Sequence, residues 1–277
     1  MDGDPPLRQW AAEVERPEQE IDLARAALVL ARMEYADLDI GAYLGRLGEL
    51  AARAEAGCRK CTDLNLLHCV REYLFAEVGF AGNRDAYSDP RNSFLNDVLD
   101  RRLGIPITLS LLLIEVGRQL GLPMEGIGLP GHFVAGVRLG EEQLLLDPFN
   151  GGAILTPDAC ADLVARALGR RVRLTDADFA PVTKRQLLAR MLRNLKAIYW
   201  QRGEWDKAVQ TVDRLLVLEP AAGGEWRDRG NALASLGEFR RGLADWERYL
   251  TDFPNAPDGE KVRGHLRRVR EKLAQLN

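Results

Sequence analysis

The sequence is short of the features that most directly announce a function. Its longest apolar stretch, Leu109 to Ile114, is interrupted by Ser110 and is far below the roughly 20 residues that a membrane-spanning helix needs, so no membrane partner is expected. Basic charge is not in excess: Lys and Arg number 38 against 41 Asp and Glu, for a formal net charge of −3. Nucleic-acid recognition rests on basic surface, and no such partner is expected here. The opening MDGDPPLRQW is acidic and has neither the basic n-region nor the apolar h-region of a secretory signal, from which a cytoplasmic location is expected.

Cysteine is scarce as well: Cys58, Cys61, Cys69 and Cys160 are the four present. Cys58, Cys61, His68 and Cys69 offer four soft ligands in one stretch, yet His68 and Cys69 are adjacent and would point about 100° apart on a helix, unlike the turn-spaced pairs of zinc sites. No metal and no cofactor are expected, and the thiols read as reduced, partly buried helix residues of a reducing compartment.

What is there is an ordinary globular chain: 277 residues, 46% hydrophobic and 29% charged, long enough for a sizeable core and for one or two domains. Apolar residues recur at helical spacing from Ile21 to Ala54, which predicts two amphipathic helices broken near Tyr35 to Asp39. A third helix is expected over Leu64 to Val78. The Gly79 to Asn92 loop holds the turn formers Gly82-Asn83 and Asp89-Pro90, and a short helix over Asn92 to Leu103 comes next. Pro106 suits the first turn of a helix over Ile107 to Leu120, ended by Gly121 and Pro123 and apolar almost all round its first half, hence central to the core.

The period then changes to two in His132 to Leu139 and in Gln143 to Asp147, which predicts a β-hairpin; residues 157–168 return to a helical pattern, and Thr175 to Thr183 is the best domain boundary. Beyond it a 34-residue period emerges. Leu192, Leu195, Tyr199, Gly203, Ala208, Val212, Leu215 and Pro220 recur as Trp226, Arg229, Leu233, Gly237, Gly242, Trp246, Tyr249 and Pro254. That is the tetratricopeptide signature of paired helices, with Arg229 and Gly242 its weakest matches. A helix over Gly259 to Leu273 would cap the pair. Two repeats and a cap fall short of the three or so units such arrays need, which predicts packing on the first domain or on a second copy, as a homodimer.

The hairpin carries the candidate chemistry. A two-residue turn at Gly140-Glu141 sets Leu139 opposite Glu142 and places His132 and Asp147 on one side of the sheet, within reach of a hydrogen bond. That is the base-and-orienter half of a Cys/His/Asp device, whose thiol stands at the start of a buried helix, where the helix dipole lowers its pKa. Here that place reads Gly104-Ile-Pro-Ile107. None of these residues can attack a carbonyl, and Thr108 and Ser110 are expected to point away from the terminus.

The blocks Gly79-Phe-Ala-Gly-Asn83, Asn92-Ser-Phe-Leu95, Arg101-Arg-Leu-Gly-Ile-Pro-Ile107, Leu120-Gly-Leu-Pro123, Leu129-Pro-Gly-His-Phe133 and Asp147-Pro-Phe-Asn-Gly-Gly152 stand in an order that resembles the transglutaminase-like, papain-type fold. More specifically, the chain from about Ile21 onward is similar to a bacterial family that joins a transglutaminase-like domain to tetratricopeptide repeats, some members of which are described as regulators of invasion genes. The resemblance puts the family's His on His132 and its Asp on Asp147, and the reactive Cys of active transglutaminases on Pro106, or on Ile107 with an offset of one. It also implies that the apolar replacement is usual in the family. Asn92 and Asn150 flank the same region and are candidate ligand-binding donors, with loop stabilisation as the alternative.

The expected architecture is therefore α+β: a mostly helical transglutaminase-like domain over 1–180, with N-terminal helices at 20–78, a core at 92–170 and a small antiparallel sheet, then an α-α tetratricopeptide module over 184–277. The expected function is a non-catalytic regulatory or scaffolding module that binds a protein or peptide partner. The competing reading is a hydrolase or acyl transferase in which His132 and Asp147 activate water directly. A third is a thiol enzyme that recruits Cys58, Cys61 or Cys69. Glu115 is expected in an ion pair with Arg101, Arg102 or Arg118. The basic C-terminal helix reads as a solvated face, and Tyr199, Trp205, Trp226 and Trp246 read chiefly as repeat core.

Overall fold

A computed structural model describes residues 5–58 and 62–275. Contacts divide the chain into two units, one of Arg16–Met191 and one made of the N-terminal residues up to Glu15 together with Leu192 onward.

In the larger unit, α2 (Leu23–Ala31) and α3 (Ile40–Ala56) each begin on an aspartate, Asp22 and Asp39, whose side chain accepts from a backbone N–H of the first turn. The expected third helix is α4 (Asp63–Arg71), which widens into a π-helical turn over Glu72–Glu77. A two-residue strand β1 (Ala81–Gly82) pairs in parallel with β2 (Leu103–Gly104), on either side of α5 (Leu95–Arg101). Then comes α6 (Pro106–Gln119), with Pro106 in its first turn, where a missing N–H is harmless. Ile107, Leu109, Leu111, Leu112, Leu113, Ile114 and Val116 are all buried, so this helix forms the centre of the unit, packed by α3, by the sheet and by the Pro148–Asn150 turn.

The sheet is larger than a hairpin. Strands β3 (Met124–Ile127), β4 (Val134–Leu139), β5 (Glu142–Asp147) and β6 (Ala153–Leu155) lie side by side in that order, all antiparallel. The β4–β5 register pairs Leu139 with Glu142 across the Gly140-Glu141 turn, and Gly140 has the positive φ (64°) that such a turn requires. Ile127, Leu129, Val134 and Leu145 form a cluster with Cys160 and Val164 of α7 (Pro157–Leu168). Gly117 lets α6 approach the sheet closely, since a Cβ there would lie 2.2 Å from the Met124 sulfur. The chain continues into α8 (Lys184–Arg202), inside which the division between the units falls.

The smaller unit holds α9 (Trp205–Leu218), α10 (Gly223–Ser235), α11 (Phe239–Asp252) and α12 (Gly259–Gln275), each packed on its neighbour in sequence. Gly242, the weak match to the repeat, lies where α10 and α11 touch: a Cβ on it would stand 3.0 Å from the Gly230 carbonyl oxygen. The cap α12 buries Val262 and Leu266 against Trp246 and Tyr249. Periodicity marks no element before Ile21, yet α1 (Pro5–Val14) packs on α9 in this unit. Its Trp10 is fully buried, with the indole N–H donating to the Arg214 carbonyl at 3.1 Å.

Candidate functional site

His132 stands just ahead of β4 and Asp147 ends β5, and the hairpin register brings them together: Nε2 and Oδ1 are 3.1 Å apart, with His132 7% exposed and Asp147 fully buried. The other Asp147 oxygen accepts from Asn150 Nδ2 at 2.5 Å. Burial by itself would push the Asp147 carboxyl up, but the hydrogen bonds from His132 and Asn150 outweigh it and hold the group below the usual carboxylate range. Asp147 is therefore an anion at neutral pH, which fixes Nε2 of His132 as a donor. Among the described residues His132 Nδ1 has no hydrogen-bond partner.

The segment carrying the imidazole is pinned from behind. The His132 N–H donates to the Leu129 carbonyl at 3.2 Å, and Arg190 on α8 donates to the carbonyls of Leu129 and His132 at 2.9 and 2.5 Å. Phe149 gathers the remaining groups. Its ring meets His132 edge to face at 6.3 Å and Tyr87 at 6.0 Å, and the Arg84 guanidinium lies 5.3 Å above it. Arg84 also donates to the Asn150 side-chain oxygen. Gly82 makes room for this ring: a Cβ there would be 2.5 Å from it.

Asn150 thus belongs to the His132 site. Asn92 does not: it is fully buried, accepts from Asn83 at 3.0 Å and Arg101 at 3.4 Å, and donates to the carbonyls of Ala86 and Tyr87 at 2.7 and 3.2 Å. Both donors and both acceptor positions of its amide are spent on the Gly82–Asn92 loop and on Arg101 of α5. Thr108 corrects the sequence expectation. Its hydroxyl folds back to the helix start, accepting from the Ile105 N–H at 3.2 Å and donating to the Asn92 carbonyl at 2.7 Å. It caps the helix and ties it to that loop. The Ser110 hydroxyl is buried and lies 3.4 Å from the Phe133 carbonyl.

Cys58 and Cys69 are half-buried, and Cys61 lies outside the described residues. Cys160 is the thiol nearest the chemistry in electrostatic terms: burial first, and then the negative charge of Asp147, push it up to about 11. It is a protonated core residue at neutral pH. Glu115 pairs with Arg118 at 3.6 Å, and burial raises its carboxyl. Among the described residues no group of His, Cys, Asp and Glu is set to hold a metal ion, and no helix is long and apolar enough to cross a membrane. The residues around the site that sequence reasoning missed are Arg84 and Tyr87, which meet Phe149, and Arg190, which bonds the His132 carbonyl. Arg84 and Tyr87 fall in a loop without periodicity, and Arg190 lies 58 positions beyond His132.

Comparison with known proteins agrees with this organisation. The transglutaminase-like superfamily profile matches residues 41–193 and a tetratricopeptide repeat profile matches residues 195–267. The chain is 37% identical over 264 residues to a UPF0162 protein of Xylella fastidiosa, covering 94% of each chain. It is 32% identical to a UPF0162 protein of Vibrio cholerae, over 69% of this chain and 70% of that one. It is also 32% identical over 146 residues to F-box only protein 21 of Mus musculus, over 50% of this chain and 22% of the mouse protein.

Proposed function

The chain belongs to the transglutaminase-like superfamily, with a C-terminal tetratricopeptide module, and from this premise we propose that it is a non-catalytic scaffolding or regulatory protein that binds a protein or peptide partner. The observation that supports the reading is the start of α6, where Pro106 opens the helix at the position that the resemblance to transglutaminases gives to the reactive thiol, or Ile107 with an offset of one, while the His132–Asp147 pair is assembled. A base with an ionised orienter but no nucleophile retains the polarity of an active site and loses covalent catalysis. Cys160, with its thiol held near 11, is no substitute.

Two surfaces serve this function. One is the surface beside His132, where Arg84 and Tyr87 gather on Phe149. The other is on the repeat module, where a cavity of about 730 Å³ is lined by Leu7, Leu216, Val217 and Trp226 and edged by Arg241 and Arg248. Repeats of this class generally mediate contacts between proteins, and a second copy of the chain is an alternative occupant. Control of gene expression, as in invasion-gene regulators, is the process such binding would serve in the cytoplasm.

The unengaged Nδ1 of His132, with Asp147 ionised behind the ring, favours one competing reading, a hydrolase that activates water directly. Turnover of peptide amides and esters by the wild type and by His132→Ala separates the two. No turnover above buffer supports the binding reading, and turnover lost in His132→Ala establishes the hydrolase.

A further inference from the structure

Two cations border the His132 site without an acidic partner among the described residues. Arg190 directs its hydrogen bonds to two backbone carbonyls and lies 5.3 Å from the Phe133 ring centroid, and burial depresses its guanidinium pKa, which marks a cation with too little compensating charge. Arg84 is exposed, bonded to the neutral Asn150 oxygen and stacked on Phe149. The Asp147 carboxylate is already engaged by His132 and Asn150. Tyr87, 50% exposed and facing Phe149, feels the charge of Arg190.

Resting on the binding reading above, we propose that the His132 site recognises a carboxylate carried by a peptide, as a glutamate or aspartate side chain. A planar two-oxygen acceptor matches the guanidinium fork of Arg84. Arg84 and Arg190 against Asp147 leave a single positive charge; one carboxylate cancels it, and a phosphate dianion overshoots it. The faces and edges of Phe149 and Tyr87 form a wall for the methylenes that carry the acid.

The test is calorimetric titration of the full chain with three short peptides, acetylated and amidated, that differ at one position: glutamate, glutamine or phosphoserine. The glutamate peptide should bind at least tenfold more tightly than either twin. Arg84→Gln, an exposed change that leaves the fold intact by circular dichroism, should weaken it about tenfold to a hundredfold. Arg53→Gln, at an exposed arginine of α3 outside this site, should leave it unchanged. Equal or tighter binding of the glutamine or phosphoserine peptide, an Arg84→Gln variant that binds like wild type, or no binding of any peptide overturns the proposal. Mass spectrometry of the recovered peptides keeps the two readings apart. Peptide consumed in a His132-dependent way, with the glutamate preference intact, overturns the non-catalytic reading alone; failure to bind with every peptide intact overturns carboxylate recognition alone.

Discussion

His132 Nε2 lies 3.1 Å from Asp147 Oδ1 in a setting from which water is largely excluded, and Asn150 holds the second carboxylate oxygen. The hairpin register makes this meeting obligatory: a slip by one residue would send the two side chains to opposite faces.

Asp147→Asn should therefore lower stability at neutral pH by about 1–3 kcal/mol, since it removes a buried charge-assisted acceptor. The pH dependence has a definite sign. A carboxyl held below its unfolded value contributes its stability above the unfolded pKa, about 3.9, and loses it as pH falls through the lower native value. Urea midpoints should thus show the wild-type advantage in full near pH 7 and shrinking below pH 4; an advantage that grew with acidification would contradict the assignment.

Cys160 should resist alkylation in the native protein. Its thiol, buried beneath the sheet and pushed up to about 11, is almost wholly protonated at pH 8. Iodoacetamide followed by peptide mapping should modify Cys160 only after denaturation. Rapid native labelling would mean an accessible thiolate and would reopen the thiol-enzyme reading.

Gly82→Ala should disturb the site without touching its charged groups, because the new methyl meets the Phe149 ring. A loss of about 1–3 kcal/mol is expected by thermal unfolding, as for overpacking elsewhere. Phe149→Leu in the same chain should restore part of it. An additive double variant would show that the two positions do not meet.

Trp10→Ala should cost about 3–5 kcal/mol, as for other fully buried tryptophans, and the loss should register in the repeat unit, where the indole bonds to Arg214. Hydrogen exchange should show faster opening of α9. Unchanged exchange there would make α1 an ornament of the unit.

Most of the helical framework was legible because its signals are local. Pro106, Gly121 and Pro123 bracket α6, and the 34-residue period announced α8 to α11 before any contact was seen. The hairpin and its register followed from alternation and a glycine turn. Strands β3 and β6 escaped notice, being four and three residues long, too short for alternation to stand out. The α1 helix escaped because its burial depends on a partner some 200 positions away. In the site, His132 and Asp147 could be paired from register, whereas Phe149 meets the imidazole, and Arg190 the His132 carbonyl, only through tertiary packing. Thr108 was misjudged for a related reason: a hydroxyl at the third helical position turns back to cap the terminus instead of following the helix outward.

The most direct measurement is the intact mass of the protein after exposure to an activated acyl ester, with wild type and His132→Ala run in parallel and adducts mapped to residues. If nothing at the start of α6 can be activated, the two proteins should carry the same sparse surface adducts and no acyl group near the imidazole. A single stoichiometric acyl group on wild type, absent from His132→Ala, would reveal a working nucleophile and contradict the non-catalytic reading.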